Sequence, residues 1–264
     1  MKIGFIGTGN MGSALAAAAS KSSLSPEIYL ADFDLSKAKV LAEKLGASVG
    51  DNLSLIRECD FVFLGVKPQV LPALLQEIAP SAAERKDLTV VSMAAGISLE
   101  KLQKGLGYNV PLIRIMPNTP VLVEKGVIAY CGTNLKEETE KTFVSLLEKA
   151  GLVEKLEESK IDAASALHGC GPAFVYLFVE ALADGAVSCG LPRDAALRFA
   201  AATVSGAAEM VLQTGKHPGE LKDAVCSPGG TTIEGVRILE ENGFRGAAMD
   251  AVVAAYERTL ELGK

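Results

Sequence analysis

The chain has 264 residues, a length typical of about two domains. An apolar share of 49% and a charged share of 22% are typical of a globular protein and exclude a disordered chain. The net charge of −6, the 5% of aromatic residues and the lack of tryptophan argue against a nucleic-acid or anionic-membrane partner, since basic patches and stacked aromatic rings bind such partners.

The cysteines and the N-terminal segment indicate in which cellular compartment the protein is expected. The 5 cysteines include no C-x-x-C pair, so we predict neither a disulfide framework nor a metal site. Gly7, Gly9 and Gly12 interrupt the apolar run that would otherwise imitate a signal peptide. No run approaches the about 18 apolar residues of a membrane helix. We therefore expect a cytoplasmic protein with no membrane partner.

The first part of the chain alternates short apolar runs with amphipathic stretches. The predicted strands are Lys2–Ile6, Ile28–Ala31, Phe61–Val66, Thr89–Ser92, Leu112–Met116 and Val127–Tyr130. The stretches Leu35–Leu45 and Gln69–Ile78 are long enough for crossover helices. This alternation predicts an α/β domain with a doubly wound parallel sheet that is covered on both faces.

After about Glu158 no further strand is predicted, and the pattern becomes helical. The predicted helices are Pro172–Cys189, a helix from Pro192 to Thr214, Pro218–Val225, Thr231–Glu241 and Arg245–Leu262. Gly190 and Gly215 follow two of them as expected for glycines that end a helix. We therefore predict two domains, residues 1–158 of α/β type and residues 159–264 of all-α type.

The segment Gly7-Thr8-Gly9-Asn10-Met11-Gly12 follows the first strand and opens a helix. In this G-x-G-x-x-G pattern one glycine allows a tight turn, one lets a pyrophosphate approach the backbone, and one lets the helix pack on the strand. The start of the helix then offers backbone N–H groups to the phosphates. The segment predicts a dinucleotide site, and the alternative is a tight glycine-rich turn without a ligand.

Asp32 lies 20 residues after Gly12, at the end of the second predicted strand. A carboxylate at this position typically accepts the hydroxyl groups of the adenosine ribose. A 2′-phosphate would meet Asp32 and Asp34, so NADH is expected to support turnover at least as well as NADPH. The alternative is that Asp32 caps the helix that begins near Leu35.

Ligands of doubly wound sheets bind beyond the carboxyl ends of the strands. Three segments occupy that edge here, Val66-Lys67-Pro68, Ala94-Ala95-Gly96 and Met116-Pro117-Asn118-Thr119-Pro120. Each segment alone is more typical of a turn or a helix start. Together with the glycine loop they favour a nicotinamide site.

A second glycine loop, Cys226-Ser227-Pro228-Gly229-Gly230-Thr231-Thr232, lies between two predicted helices. A Gly-Gly turn before a helix presents unpaired backbone N–H groups, which suit a small substrate carboxylate. The alternative is an N-capped helix after a flexible turn.

The two glycine loops and the strand-end segments resemble the sequence motifs of the pyrroline-5-carboxylate reductases, and the resemblance extends over nearly the whole chain. The most specific are Gly4 to Gly12, Gly171-Pro172-Ala173, and His217 to Asp223 followed by Ser227-Pro228-Gly229-Gly230-Thr231-Thr232-Ile233. The resemblance implies a Rossmann domain, a helical dimerisation domain, and a homodimer that assembles to a decamer. It also implies reduction of L-1-pyrroline-5-carboxylate to L-proline with NADPH or NADH, the last step of proline biosynthesis.

The resemblance and the motifs together give the expected site. The expected dinucleotide contacts are Ile6, Gly7, Thr8, Gly9, Asn10, Met11, Gly12, Asp32, Asn52, Gly65, Val66, Lys67, Pro68, Ala94, Ala95, Gly96 and Asn118. The expected substrate contacts are Glu158, Ser227, Gly229, Gly230, Thr231 and Thr232, with the Thr232 hydroxyl as the catalytic group at the ring nitrogen. His168 and Ala224 depart from the family pattern, in which serine and asparagine are common.

Two other functions compete with this interpretation. A β-hydroxyacid dehydrogenase or imine reductase shares the two-part layout, but hydroxyacid oxidation needs a lysine in the first long C-terminal helix. Gly171–Cys189 contains no lysine, which favours an imine substrate over an alcohol. The second alternative is a non-catalytic dinucleotide-sensing protein, which would have no need of a second anion-binding loop.

Overall fold

The computed structural model describes residues 1–106 and 110–262. The chain divides into two compact units, one formed by Met1–Gly169 with the C-terminal segment from Tyr256, and the other by Cys170–Ala255. The domain boundary predicted after residue 158 stays a prediction.

The first unit contains a sheet flanked by helices. Its strands are β1 (Lys2–Ile6), β2 (Glu27–Ala31), β3 (Ser48–Val49), β4 (Phe61–Leu64), β5 (Thr89–Ser92), β6 (Leu112–Pro117), β7 (Gly126–Thr133) and β8 (Gly151–Lys155). Its helices are α1 (Asn10–Ser20), α2 (Leu35–Leu45), α3 (Asn52–Glu58), α4 (Leu71–Ala83), α5 (Leu99–Leu106), α6 (Glu137–Leu146) and α7 (Glu158–Ala164). Among the described residues the strand order is β3-β2-β1-β4-β5-β6-β7-β8.

The central strands are buried on both faces because their side chains alternate between two apolar clusters. Phe5 and Phe63 belong to one cluster and stack with ring centroids 4.6 Å apart. Val62 and Leu64, from the same strand as Phe63, belong to the other cluster. The structure thus confirms the predicted doubly wound α/β sheet.

The sheet differs from the prediction at its second half. β7 runs antiparallel to β6, whereas the other neighbouring strands pair in parallel. Only residues 118–125 separate β6 from β7, and a parallel return needs about a dozen residues or more. The short β3 and the edge strand β8 were not predicted. β4 ends at Leu64 rather than Val66, and a Cβ on the next residue, Gly65, would lie 2.6 Å from the carbonyl oxygen of Gly7.

The second unit is all-α, as predicted. Its helices are α8 (Gly171–Ser188), α9 (Arg193–Thr214), α10 (Pro218–Val225), α11 (Thr231–Glu241) and the part of α12 (Phe244–Leu262) that precedes Tyr256. Small side chains let α8 and α9 approach closely, and Ala183, Ala196 and Ala200 are buried between them. Gly190 and Gly215 follow these helices in the left-handed region, with φ of 95° and 64°.

Candidate active site

An open cleft of about 690 Å³ lies at the carboxyl ends of β1 and β4. Here the strand order reverses, since β2 flanks β1 on one side and β4 flanks it on the other. Such a switch point is where doubly wound sheets bind their ligands. The expected contacts that line the cleft are Ile6, Gly7, Gly9, Asp32, Asn52, Gly65, Val66 and Lys67.

Each glycine of the first loop has a different structural task. Gly7 has a φ of 97°, and a Cβ added to it would lie 2.7 Å from the carbonyl carbon of Gly65. A Cβ on Gly12 would lie 2.1 Å from the carbonyl oxygen of Gly7, so this glycine lets α1 pack on the loop. A Cβ on Gly9 would meet no protein atom within 4 Å. The backbone at Gly9 is therefore open to a ligand.

The start of α1 adds the electrostatic part of the site. Gly9 is its N-cap residue, and no side chain among the described residues caps this helix. The first turn of a helix has N–H groups without an intrahelical partner and carries the positive end of the helix dipole. An uncapped start beside an open glycine suits the phosphates of a dinucleotide.

Asp32 follows β2 and is hydrogen-bonded to the glycine loop. Its Oδ2 accepts the N–H of Thr8 at 2.6 Å and the Thr8 hydroxyl at 2.8 Å, while its Oδ1 accepts the N–H of Asp34 at 2.9 Å. Burial acts to raise the pKa of Asp32, but these hydrogen bonds outweigh it and hold the pKa below its ordinary value. The residue that caps α2 is Asp34, which accepts the N–H of Ser36.

The remaining expected dinucleotide contacts lie outside the lining of the cleft. They are Thr8, Asn10, Met11, Gly12, Pro68, Ala94, Ala95, Gly96 and Asn118. Thr8 is buried behind the loop, and Ala94 is also buried. Asn52 lines the cleft and donates through Nδ2 to both carboxylate oxygens of Glu77 at 3.1 Å.

The Asn118 amide is engaged within the fold. Asn118 is buried, its Nδ2 donates to the carbonyl of His168 at 2.8 Å, and its Oδ1 accepts the N–H of Val127 at 2.8 Å. The Nε2 of His168 lies 2.7 Å from the carbonyl oxygen of Met116. A carbonyl only accepts, so this contact requires a proton on Nε2. These bonds attach the end of β6 to the π-helical turn Ser165–Gly169.

Glu158 begins α7 and belongs to a cluster around a buried arginine. Its Oε1 accepts the N–H of Leu99 at 2.7 Å and lies 3.4 Å from Nη1 of Arg114. Nη2 of the same guanidinium donates to Asp162 at 2.6 Å. One arginine on β6 thus fixes α7, and through Glu158 the start of α5.

The second glycine loop has the conformation expected before a helix start. Gly229 has a φ of 66°, and the N–H of Gly230 donates to the carbonyl of Ser227 at 3.0 Å. Gly230 is the N-cap residue of α11, and within the described part of the chain no side chain caps that helix. Thr231 and Thr232 are exposed at its first turn. This loop and Glu158 belong to different units.

The sequence reasoning missed several residues of the cleft. They include Phe33, Leu35, Asp51, Val70, Ala73, Leu74 and Glu77. Phe33 is fully exposed on the rim. The position of Phe33, two residues after the end of β2, could have indicated this, because an apolar side chain there is not buried in the core. Nothing in the sequence pointed to Glu77.

Comparisons with known proteins match both parts of the chain. Residues 158–262 match the family model described as pyrroline-5-carboxylate reductase dimerisation, and residues 2–96 match the model described as NADP oxidoreductase coenzyme F420-dependent. The pyrroline-5-carboxylate reductase of Glycine max is 45% identical over 98% of this chain and 95% of its own. The chain belongs to the pyrroline-5-carboxylate reductase family.

Solved structures agree with this assignment. A pyrroline-5-carboxylate reductase from Coxiella burnetii superimposes with a TM-score of 0.93 at 32% identity, covering 99% of this chain and 98% of that one. The Plasmodium falciparum pyrroline carboxylate reductase with NADP bound gives a TM-score of 0.84 at 32% identity, over 100% and 98% of the two chains. The resemblance found in the sequence motifs is thereby confirmed, together with the Rossmann and helical parts that it implied.

The dimerisation match bears on the exposed apolar helices of this reductase-family chain. The helical segments Glu158–Ser188 and Arg193–Thr214 are long and apolar enough, by length and composition alone, to cross a membrane. In the most apolar 18-residue stretch of each segment, only 6% and 11% of the residues are buried. An open apolar groove of about 590 Å³ also lies between α8, α11 and α12. Residues 158–262, which match the dimerisation model, include all of these helices.

Proposed function

We propose that the chain is a pyrroline-5-carboxylate reductase, which reduces L-1-pyrroline-5-carboxylate to L-proline with NADPH or NADH as the last step of proline biosynthesis. The observation that carries this proposal is the full-length match to reductases of that one name. The NADP oxidoreductase model and the related structure with NADP bound support the cofactor.

The cleft of the first unit fits a dinucleotide. Gly9 leaves open space at the uncapped start of α1, while Gly7 and Gly12 are packed too tightly to carry a side chain. We assign the phosphates to the backbone N–H groups of Gly9–Gly12, and the remaining expected contacts apart from Asp32 to the two ends of the cofactor. When bound, the reduced nicotinamide supplies the hydride that reduces the C=N bond.

The substrate contacts are assigned to the second glycine loop. Two N–H groups were expected to hold the carboxylate, but that of Gly230 donates to the carbonyl of Ser227 at 3.0 Å. We therefore assign the carboxylate to the N–H of Thr231 at the uncapped start of α11, with Ser227, Gly229 and Gly230 shaping the turn. The Thr232 hydroxyl hydrogen-bonds the ring nitrogen and orients the ring. A protonated imine needs only a hydride, so this chemistry requires orientation rather than a strong general acid. Glu158 stays a proposed substrate contact through Oε2, since both of its observed contacts use Oε1.

Thr232→Ala is expected to lower kcat/KM for pyrroline-5-carboxylate by roughly tenfold or more, which corresponds to the loss of one hydrogen bond to a charged group. Thr232→Ser retains the hydroxyl and should stay within about threefold of the wild type. Steady-state kinetics at saturating NADPH measures both variants. Unchanged kinetics in Thr232→Ala would refute the catalytic role.

A substrate comparison tests the reaction against its rivals. The purified chain should oxidise NADPH or NADH in the presence of pyrroline-5-carboxylate, and should not reduce NAD or NADP in the presence of 3-hydroxy acids. Turnover of the hydroxy acids would favour the dehydrogenase. Dinucleotide binding without turnover of either substrate would favour the sensing protein.

The proposal includes the assembly and the compartment. A homodimer built from the helical part would cover the apolar groove beside Phe178 and Phe244, and further assembly to a decamer follows the family resemblance. The net charge of −6 agrees with a cytoplasmic enzyme without nucleic-acid or membrane partners. The anionic ligands are then bound by backbone N–H groups at helix starts, and the negative net charge of the protein does not prevent this.

A further inference from the structure

Asp32 occupies the position from which a carboxylate typically accepts the ribose hydroxyls, yet it faces the glycine loop. Three donors of this chain reach its two oxygens, namely the Thr8 N–H, the Thr8 hydroxyl and the Asp34 N–H, at 2.6 to 2.9 Å. An ionised carboxylate offers about four acceptor positions. Most of its capacity is therefore used inside the protein.

Thr8 is fixed from two sides by these contacts. Its N–H and hydroxyl donate to Asp32, and its carbonyl accepts the Ser13 hydroxyl at 2.7 Å. The side chain is buried, and the next residue is Gly9, whose open backbone faces the cleft. Because Gly9 follows Thr8 directly and is the N-cap residue of α1, the contacts that fix Thr8 also fix the backbone leading into the start of that helix.

We propose that Asp32 is a positioning residue, which acts through Thr8 to hold the phosphate-binding loop and does not choose between a ribose 2′-hydroxyl and a 2′-phosphate. This inference rests on the proposed function as a dinucleotide-dependent enzyme. It assigns Asp32 a different task from the one that its position in the sequence suggests. Loosening Asp32 then weakens NADH and NADPH alike, because the loop serves the pyrophosphate that both cofactors share.

The test is isothermal titration of the full-length protein with NADH and with NADPH separately. Asp32→Asn keeps the shape but loses the charge, and its amide nitrogen cannot accept an N–H. This variant is expected to bind both NADH and NADPH about tenfold more weakly, and the ratio of the two affinities should stay within about twofold of the wild-type ratio. The KM for pyrroline-5-carboxylate should stay near the wild-type value, which a general loss of structure would not permit.

A second variant, Thr8→Val, and its combination with Asp32→Asn test the same interaction from the other partner. Thr8→Val removes only the hydroxyl and should also weaken both cofactors in parallel. In the double variant the combined loss should be smaller than the product of the two single losses, since both act on one interaction. Asp34→Asn removes an equal charge two residues away without a contact to Thr8, and should leave NADH affinity within about twofold.

Each outcome has a definite meaning. Parallel weakening with a non-additive cycle supports the proposal. A shift of the affinity ratio towards NADPH by about tenfold in Asp32→Asn, with additive effects of Thr8→Val, overturns it and assigns Asp32 to the ribose. If the wild type binds both cofactors but does not reduce pyrroline-5-carboxylate, the proposed function fails while this inference is still decided by binding. If the wild type binds neither cofactor, both fail.

Discussion

Gly9→Ala is expected to weaken NADPH and NADH binding by at least about 100-fold while the fold stays intact. A Cβ at this position meets no protein atom within 4 Å, so the folded chain accommodates the methyl group without strain. The same methyl occupies the space through which a pyrophosphate must approach the start of α1. Calorimetric titration and thermal unfolding, measured on the same preparation, separate the two effects.

Gly12→Ala is the matched control, because it adds the same methyl group three residues away. Its Cβ would lie 2.1 Å from the carbonyl oxygen of Gly7, so α1 must move away from the loop. This variant should lose stability by roughly 1 to 3 kcal/mol or more, in addition to cofactor affinity. Wild-type affinity in Gly9→Ala would show that no dinucleotide passes over this loop.

Arg114→Met is expected to lower the free energy of unfolding by about 3 kcal/mol. Arg114 is 4% exposed and contacts Asp162 at 2.6 Å and Glu158 at 3.4 Å. Methionine fills similar space but leaves two carboxylates without their cation. Both carboxylates are about one-third exposed, which places the loss at the lower end of the range for buried pairs. Urea unfolding at a fixed protein concentration measures the change.

Two comparisons distinguish the charge effect from lost packing. Adding Glu158→Gln and Asp162→Asn to Arg114→Met removes the unpaired charges and should recover at least half of the loss. Arg237→Met removes an arginine that lies between Glu234 and Glu241 but is 51% exposed, and should cost less than about 1 kcal/mol. An equal loss in the Arg114 and Arg237 variants would contradict the structural role of the buried cluster.

Local signals explain what the sequence could predict. β1, β5, α2, α10 and α11 were predicted with the bounds that the structure has. β1 and the three helices each have a glycine, a proline or a capping residue at one end, whereas β5 is recognisable as a short run of β-branched residues. The glycine loop was also predictable from the local sequence, because Gly7 and Gly12 lie where the neighbouring backbone leaves no room for a side chain.

Contacts between distant segments explain what the sequence could not give. The edge strand β8, with the sequence Gly-Leu-Val-Glu-Lys, has too few alternating residues for a strand pattern and gains its pairing from β7. The bond between Asp32 and Thr8 joins residues 24 positions apart, and the motif spacing suggested a ribose contact instead. The engagement of Asn118 by His168 and Val127 was equally invisible, since each residue alone is unremarkable for a turn.

The most direct test is to measure L-proline formed against NADPH or NADH consumed when the purified chain acts on L-1-pyrroline-5-carboxylate. The proposed function predicts one L-proline for each dinucleotide oxidised, with Gly9→Ala inactive at cofactor concentrations that saturate the wild type. Failure of the wild type to form L-proline with either cofactor would contradict it.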